Sequence, residues 1–162
     1  MNFFLADILI SKDKDVDLNI KKQILIKGLD LINKELKTSK TNNSCLTVSL
    51  RLTNIRNMKK LNYSFSGSNK ETNVLSFIPD PNETDENNNS VGDIAICVDV
   101  LKKEAKEQNK DFLDHLLHLF VHGILHLLGY KHDSDREASK MEQIEKTVLS
   151  KLGIEDPYLI EL

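Results

Sequence analysis

Residues 118–135 read "HLFVHGILHLLGYKHDSD", an apolar run that carries four histidines. The run starts upstream and predicts a helix over about 111–128, packed on most of its sides. Gly129 stops it, because glycine tolerates the left-handed backbone of an abrupt helix end. Ser134 followed by Glu137 is a capping box that starts a last helix over about 135–152, which Gly153 closes.

His115, His118, His122 and His126 recur at steps of three and four, so they share one stripe of that helix. Imidazoles at i and i+4, with Cβ atoms roughly 6 Å apart, can converge on one ion. Such a pair supplies only two ligands. The third must come from chain that has turned back. His132 follows Gly129 closely enough to face His122 and His126, whereas His115 and His118 lie further from the turn. His122, His126 and His132 are therefore expected to hold one Zn2+ per chain, with a fourth position left open as in catalytic sites. His115 and His118 are expected as packed core histidines, or as residues that line the pocket or orient a ligand. The spacing matches the metzincin signature H-E-x-x-H-x-x-G-x-x-H at all three histidines and the glycine. Gly123 stands where that signature has its general-base Glu, so an ordinary metzincin mechanism is not expected.

Working outward, residues 2–10 read as a strand. Residues 17–37 carry Leu18, Ile24, Leu25, Leu29, Ile32 and Leu36 at helical spacing, weakened at Gly28 by roughly 1 kcal/mol relative to Ala. "CLTVSLRL" (45–52) alternates with Leu46, Val48, Leu50 and Leu52 on one face, which predicts a strand. A short helix over 54–63 follows, then a turn-rich loop, "SFSGSNKET". The runs "NVLSFI" (73–78) and "VGDIAICV" (91–98) read as strands, joined by a polar loop over about 79–90 expected to be mobile. Asp99 is placed as the N-cap of a helix over 100–108. The order β-α-β-α-β-β-α-α-α predicts an α+β fold. It has a four-stranded mixed sheet and about five helices, with the first βαβ unit parallel, strands three and four antiparallel, and the metal site at the end of the long apolar helix.

The chain has 162 residues, which suits one domain over 1–162. Its net charge of -3 supplies no global attraction to nucleic acid, so any anion-binding surface must be a local patch. Cys45 and Cys97 are isolated in strand-like runs and are expected as reduced core thiols. "MNFFLADILI" lacks a basic start, carries Asp7 and is too short to span a membrane. A cytoplasmic protein without membrane association is expected.

"HGILHLLGYKH" resembles the H-G-x-L-H-L-x-G-Y-D-H signature of the YbeY family of rRNA-maturation endoribonucleases. "LNYSFSGSNKETNVLSF" is similar to that family's segment ending T-[DN]-V-L-S-F, "GDIAICVD" to its G-D-I-x-I strand, and "LGIEDPY" to a tail of some members. The likeness runs from about residue 46 to the end. It implies zinc on His122, His126 and His132, single-strand-preferring RNA cleavage, and a place in ribosomal RNA maturation and ribosome quality control. The implied partners are ribosomal RNA and the ribosome or its small subunit, with no small-molecule cofactor.

Two positions depart from the pattern. Lys131 stands where the family commonly has Asp. Phe65-Ser66-Gly67 stands where many members read Tyr-Arg-Gly, so Ser66 cannot supply the fixed positive charge of that Arg. Arg51, on the polar face of the second strand, is the substitute expected to bind substrate, with Lys70 a weaker candidate. Lys59, Lys60, Lys102 and Lys103 read as solvated helix faces. No residue is assigned as the general base. Two other readings fit the same cradle: a hydrolase of another substrate, such as peptide, and a zinc-containing ribosome-associated factor with little or no catalysis.

Overall fold

Alternation and helical spacing produce the expected elements in the expected order. The computed structural model describes residues 4–38, 45–80, 82 and 89–159. Four strands are found: β1 (Phe4–Lys12), β2 (Cys45–Thr53), β3 (Val74–Phe77) and β4 (Ser90–Cys97). The helices are α1 (Lys22–Glu35), α2 (Ile55–Ser66), α3 (Val98–Glu107), α4 (Phe112–Leu127) and α5 (Asp135–Lys151). The sheet runs β1-β2-β4-β3. β1, β2 and β4 are parallel, and β3 closes one edge antiparallel to β4. This is the mixed α+β arrangement that the element order predicts.

Each face of the sheet has its own cover. Val48, Leu50 and Leu52 of β2 join Ile94 and Ile96 of β4 in a core with α1, α4 and α5. Ala95 and Cys97 point the other way, onto Met58 of α2. Cys97 is a free, fully buried thiol whose pKa is raised, first by burial. Helix α4 sits inside the larger core, with Leu116, Phe120, Val121, Ile124 and Leu125 all fully buried. Side chains of this kind contribute roughly 1.5–3 kcal/mol each on burial. No helix among the described residues is long and apolar enough to cross a membrane.

Several boundaries differ from expectation. Helix α1 starts at Lys22 rather than 17, because Val16, Leu18 and Ile20 face inward at every second residue, the spacing of extended chain. Asp99 is not the cap of α3: that helix begins one residue before it, and Asp99 lies in its first turn. There its charge complements the helix dipole. Helix α2 runs on to Ser66, and Gly67, at φ 75°, ends it. The expected loop over 79–90 falls at residues 81 and 83–88 outside the described residues, as does the side chain of Cys45.

Two glycines bring α4 onto the sheet. A Cβ on Gly123 would sit 3.2–3.3 Å from the Ile94 side chain and from Ser76 Oγ, and the Ser76 hydroxyl donates to the Gly123 carbonyl at 3.0 Å. A Cβ on Gly92 would lie 2.5 Å from the Phe77 carbonyl oxygen. Close approach, and not only a missing base, thus accounts for Gly123. The result sets the C-terminal half of α4 beside the edge strand β3.

Candidate metal centre

Helix α4 ends as the glycine predicts. Gly129 adopts φ 94°, and the Tyr130 N–H donates back to the Leu125 carbonyl at 3.0 Å. This is a Schellman ending, which reverses the chain within a few residues. It brings the His132 ring to 4.9 Å from that of His126 and 5.5 Å from that of His122, centroid to centroid. One ring nitrogen from each of the three lies within 4.8 Å of the other two. His122 and His126 are partly buried and His132 is exposed.

The tautomers of the helical pair are fixed from behind. His126 Nδ1–H donates to the Tyr130 carbonyl at 3.0 Å, so the turn that recruits His132 also orients His126. His122 Nδ1–H donates to the carboxylate of Glu145 on α5. Both Nε2 atoms are then lone-pair acceptors, and they lie 2.9 Å apart. Two such lone pairs repel unless a cation lies between them. Tetrahedral bonds of ~2.0–2.1 Å would separate ligand nitrogens by about 3.3 Å, so the pair is near that geometry. The His126 pKa is lowered, chiefly by burial and then by His122, which keeps its ring in the neutral form that ligates. These residues fit a zinc-type metal.

Glu145 is a candidate functional residue that the sequence reading missed. Its side chain is fully buried and accepts from His122 and from the Tyr158 hydroxyl. His118 Nε2 lies 3.3 Å from Tyr158 Oη and 3.6 Å from Glu145. Burial works to raise the Glu145 pKa, but His118, His122 and Tyr158 outweigh it and hold it at about 2. The same contact, after burial, pushes the Tyr158 hydroxyl up. A signal for Glu145 existed. It stands with Met141, Val148 and Leu149 on the buried stripe of α5, where a lone carboxylate needs partners. Tyr158 reaches it because the chain reverses at Gly153, φ 80°, and Ile154 tucks into the core.

A cleft of about 500 Å³ opens beside the three histidines, with Phe65, Ser76, Ile78, Tyr130 and Lys131 among its lining residues. Among the described residues, no carboxylate lines it. Arg51 is not part of it. Its guanidinium pairs with Asp13 at 2.9 Å, and Asp13 also accepts from Thr53, the Asn54 N–H and Asn57. Burial would raise the Asp13 pKa, but hydrogen bonds from these four partners hold it at about 2. The face of β2 that carries Arg51 looks toward α2, away from α4, which places Arg51 outside the cleft beside the histidines. Ser66 bonds back to Asn62 on its own helix, and neither it nor Lys70 lines the cleft. Lys59 pairs loosely with Glu71 at 3.6 Å, while Lys60, Lys102 and Lys103 are exposed.

The fold and site define an α+β protein with a three-histidine centre open to a cleft. The family described as Endoribonuclease YbeY matches over residues 8–153, and the chain belongs to that family. Among its relatives is the endoribonuclease YbeY of Colwellia psychrerythraea, 45% identical over 76% of this chain and 79% of that protein. The one from Bartonella henselae is 41% identical over 94% and 95%. A solution structure from Thermotoga maritima shares the fold, with a TM-score of 0.57 at 24% identity over 94% of this chain and 99% of that one.

Proposed function

We propose that this chain is a zinc-dependent endoribonuclease that cuts single-stranded segments of ribosomal RNA in the cytoplasm, in maturation and quality control of the ribosome. The observation that carries this reading is the fixed pair of lone pairs on His122 and His126, with His132 facing them across the Gly129 turn. The names of the relatives supply the substrate class. The expected partners are ribosomal RNA and the ribosome or its small subunit.

His122, His126 and His132 would hold the metal, which when bound supplies Lewis acidity at a phosphoryl oxygen. Glu145 and the Tyr130 carbonyl keep the two helical rings aimed at the ion. Gly123, where the metzincin signature has its Glu, offers no side chain to take a proton, which speaks against peptidase chemistry of the metzincin kind. The nucleophile is then water or the substrate's own 2′-hydroxyl, and products ending in a 2′,3′-cyclic phosphate would identify the latter. The test is cleavage of an unstructured RNA by metal-analysed protein, wild type against His126→Ala and Ser66→Arg. Metal-dependent cutting that His126→Ala abolishes supports the reading, and a faster Ser66→Arg would mark the missing charge. Normal rRNA processing and ribosome association in cells carrying His126→Ala would replace it with a non-catalytic role.

A further inference from the structure

Phe65 and Lys131 lie on the same cleft, and nothing above uses them. Phe65, near the end of α2, leaves 58% of its surface exposed, unusual for a ring that lines a site. It is not loose: its ring meets Phe77 of β3 at 5.2 Å and 85°, and Gly67 fixes the helix end just beyond it. Lys131, next to His132, is exposed, with no carboxylate paired to it among the described residues. Among the described residues it is the one lysine or arginine that lines the cleft. Ile78, 66% exposed, extends the apolar rim. A half-bare aromatic held against Phe77, an unpaired cation and, among the described residues, no competing carboxylate are the components that take an unpaired nucleotide. Its base has a π-face for stacking and its phosphate a charge for the lysine.

We propose that Phe65 and Lys131 form a nucleotide subsite beside the metal centre, where an unpaired base stacks on Phe65 and the adjoining phosphate pairs with Lys131. The subsite rests on the reading of the chain as an RNA-binding enzyme and adds a reason for single-strand preference. A base held in a duplex cannot present its face to Phe65, so paired RNA forfeits the contact. The overall negative chain meets its anionic substrate through this local patch.

The experiment uses the full-length, zinc-loaded chain and a short fluorescent 2′-O-methyl RNA, which keeps binding separate from cutting. Affinity is read by anisotropy for wild type, Phe65→Ala, Phe65→Leu and Lys131→Met, each checked for metal content and melting temperature. The same oligonucleotide is also prepared with single abasic positions along its length. Phe65→Ala and Phe65→Leu should each weaken binding by roughly 5- to 150-fold, the span of base–aromatic stacking. One abasic position should cost wild type a similar factor and cost Phe65→Ala nothing further. Lys131→Met should lower the slope of log affinity against log salt by about 0.7, one phosphate contact on a single strand. Unchanged affinity of both Phe65 variants, or abasic losses equal in wild type and Phe65→Ala, overturns the proposal. Phe65-dependent capture of an unstructured polypeptide in place of RNA overturns it in favour of a protein ligand. Phe65-dependent RNA binding without any cleavage of unmodified RNA leaves the subsite standing and defeats the endonuclease reading instead.

Discussion

Helix α4 carries its four histidines on one stripe, yet its two halves use them differently. In the N-terminal half, His115 is 5% exposed and its Nε2 lies 2.7 Å from Glu104, while His118 reaches Tyr158. The cavity beside them, about 600 Å³, has Asp111, Asp114, Glu155 and Asp156 among its lining residues. The Asp114 pKa is raised there, first by burial and then by Asp111 and Glu155. In the C-terminal half, His122 and His126 open onto a cleft that no carboxylate lines among the described residues. Both halves have an acidic residue behind a histidine, Glu104 in one and Glu145 in the other. What separates them is Gly129, which returns a third imidazole to one pair and to that pair alone. Helical spacing makes candidates of all four rings, and the chain reversal selects among them.

The largest expected effect comes from breaking that selection. His126→Ala should reduce zinc affinity by more than the ~10- to 100-fold typical of losing a group that holds a ligand, and His115→Ala should leave it within a few-fold. Chelator competition measures both, and equal losses would erase the distinction between the halves. Acidification probes the same contrast. A ligand imidazole must be neutral, so proton competition sets in as pH falls through the ordinary value of ~6.5. The lowered His126 pKa moves that competition to more acid pH for its ring. Zinc should therefore be held at pH 7 and released progressively below about 6.5, and full retention at pH 4 by direct metal analysis would refute the ligand set.

Glu145→Gln should weaken zinc binding by roughly 10- to 100-fold, because an amide keeps the shape but not the charge that orients His122. Its Cα neighbours stay packed, so a melting curve close to wild type would separate this from unfolding. A Glu104→Gln variant should show no such loss. Gly129→Ala should cost about 1–2 kcal/mol of stability for a left-handed non-glycine residue and also lower metal affinity by displacing His132, as denaturation and chelator titration would report. The smallest effect is expected at Arg51, 42% exposed on its side chain and paired with Asp13. Arg51→Met should change stability by no more than about 1 kcal/mol and leave RNA cleavage intact, and a large loss of cleavage would return Arg51 to the site.

Much of the fold was readable because it rests on local periodicity. The alternation of Val48, Leu50 and Leu52 predicts β2, and the apolar run before Gly129 predicts α4. The boundaries that failed, at Leu18, Asp99 and Ser66, are places where burial or the next strand's position overrides a local signal. Of the candidate metal centre, the three histidines were legible because their geometry is set within one helix and one turn. Glu145 and Tyr158 were not singled out, since nothing local says which helix will lie behind His122.

The sequence by itself determined which three imidazoles converge, since His122, His126, Gly129 and His132 fall within eleven residues and backbone geometry carries the argument. Tertiary structure alone decided what surrounds them. It placed the Glu145 carboxylate behind His122, turned Arg51 toward Asp13, and brought Phe65 from α2 to the cleft that Lys131 also lines. Those choices depend on which faces of distant elements meet, and no spacing along the chain encodes them.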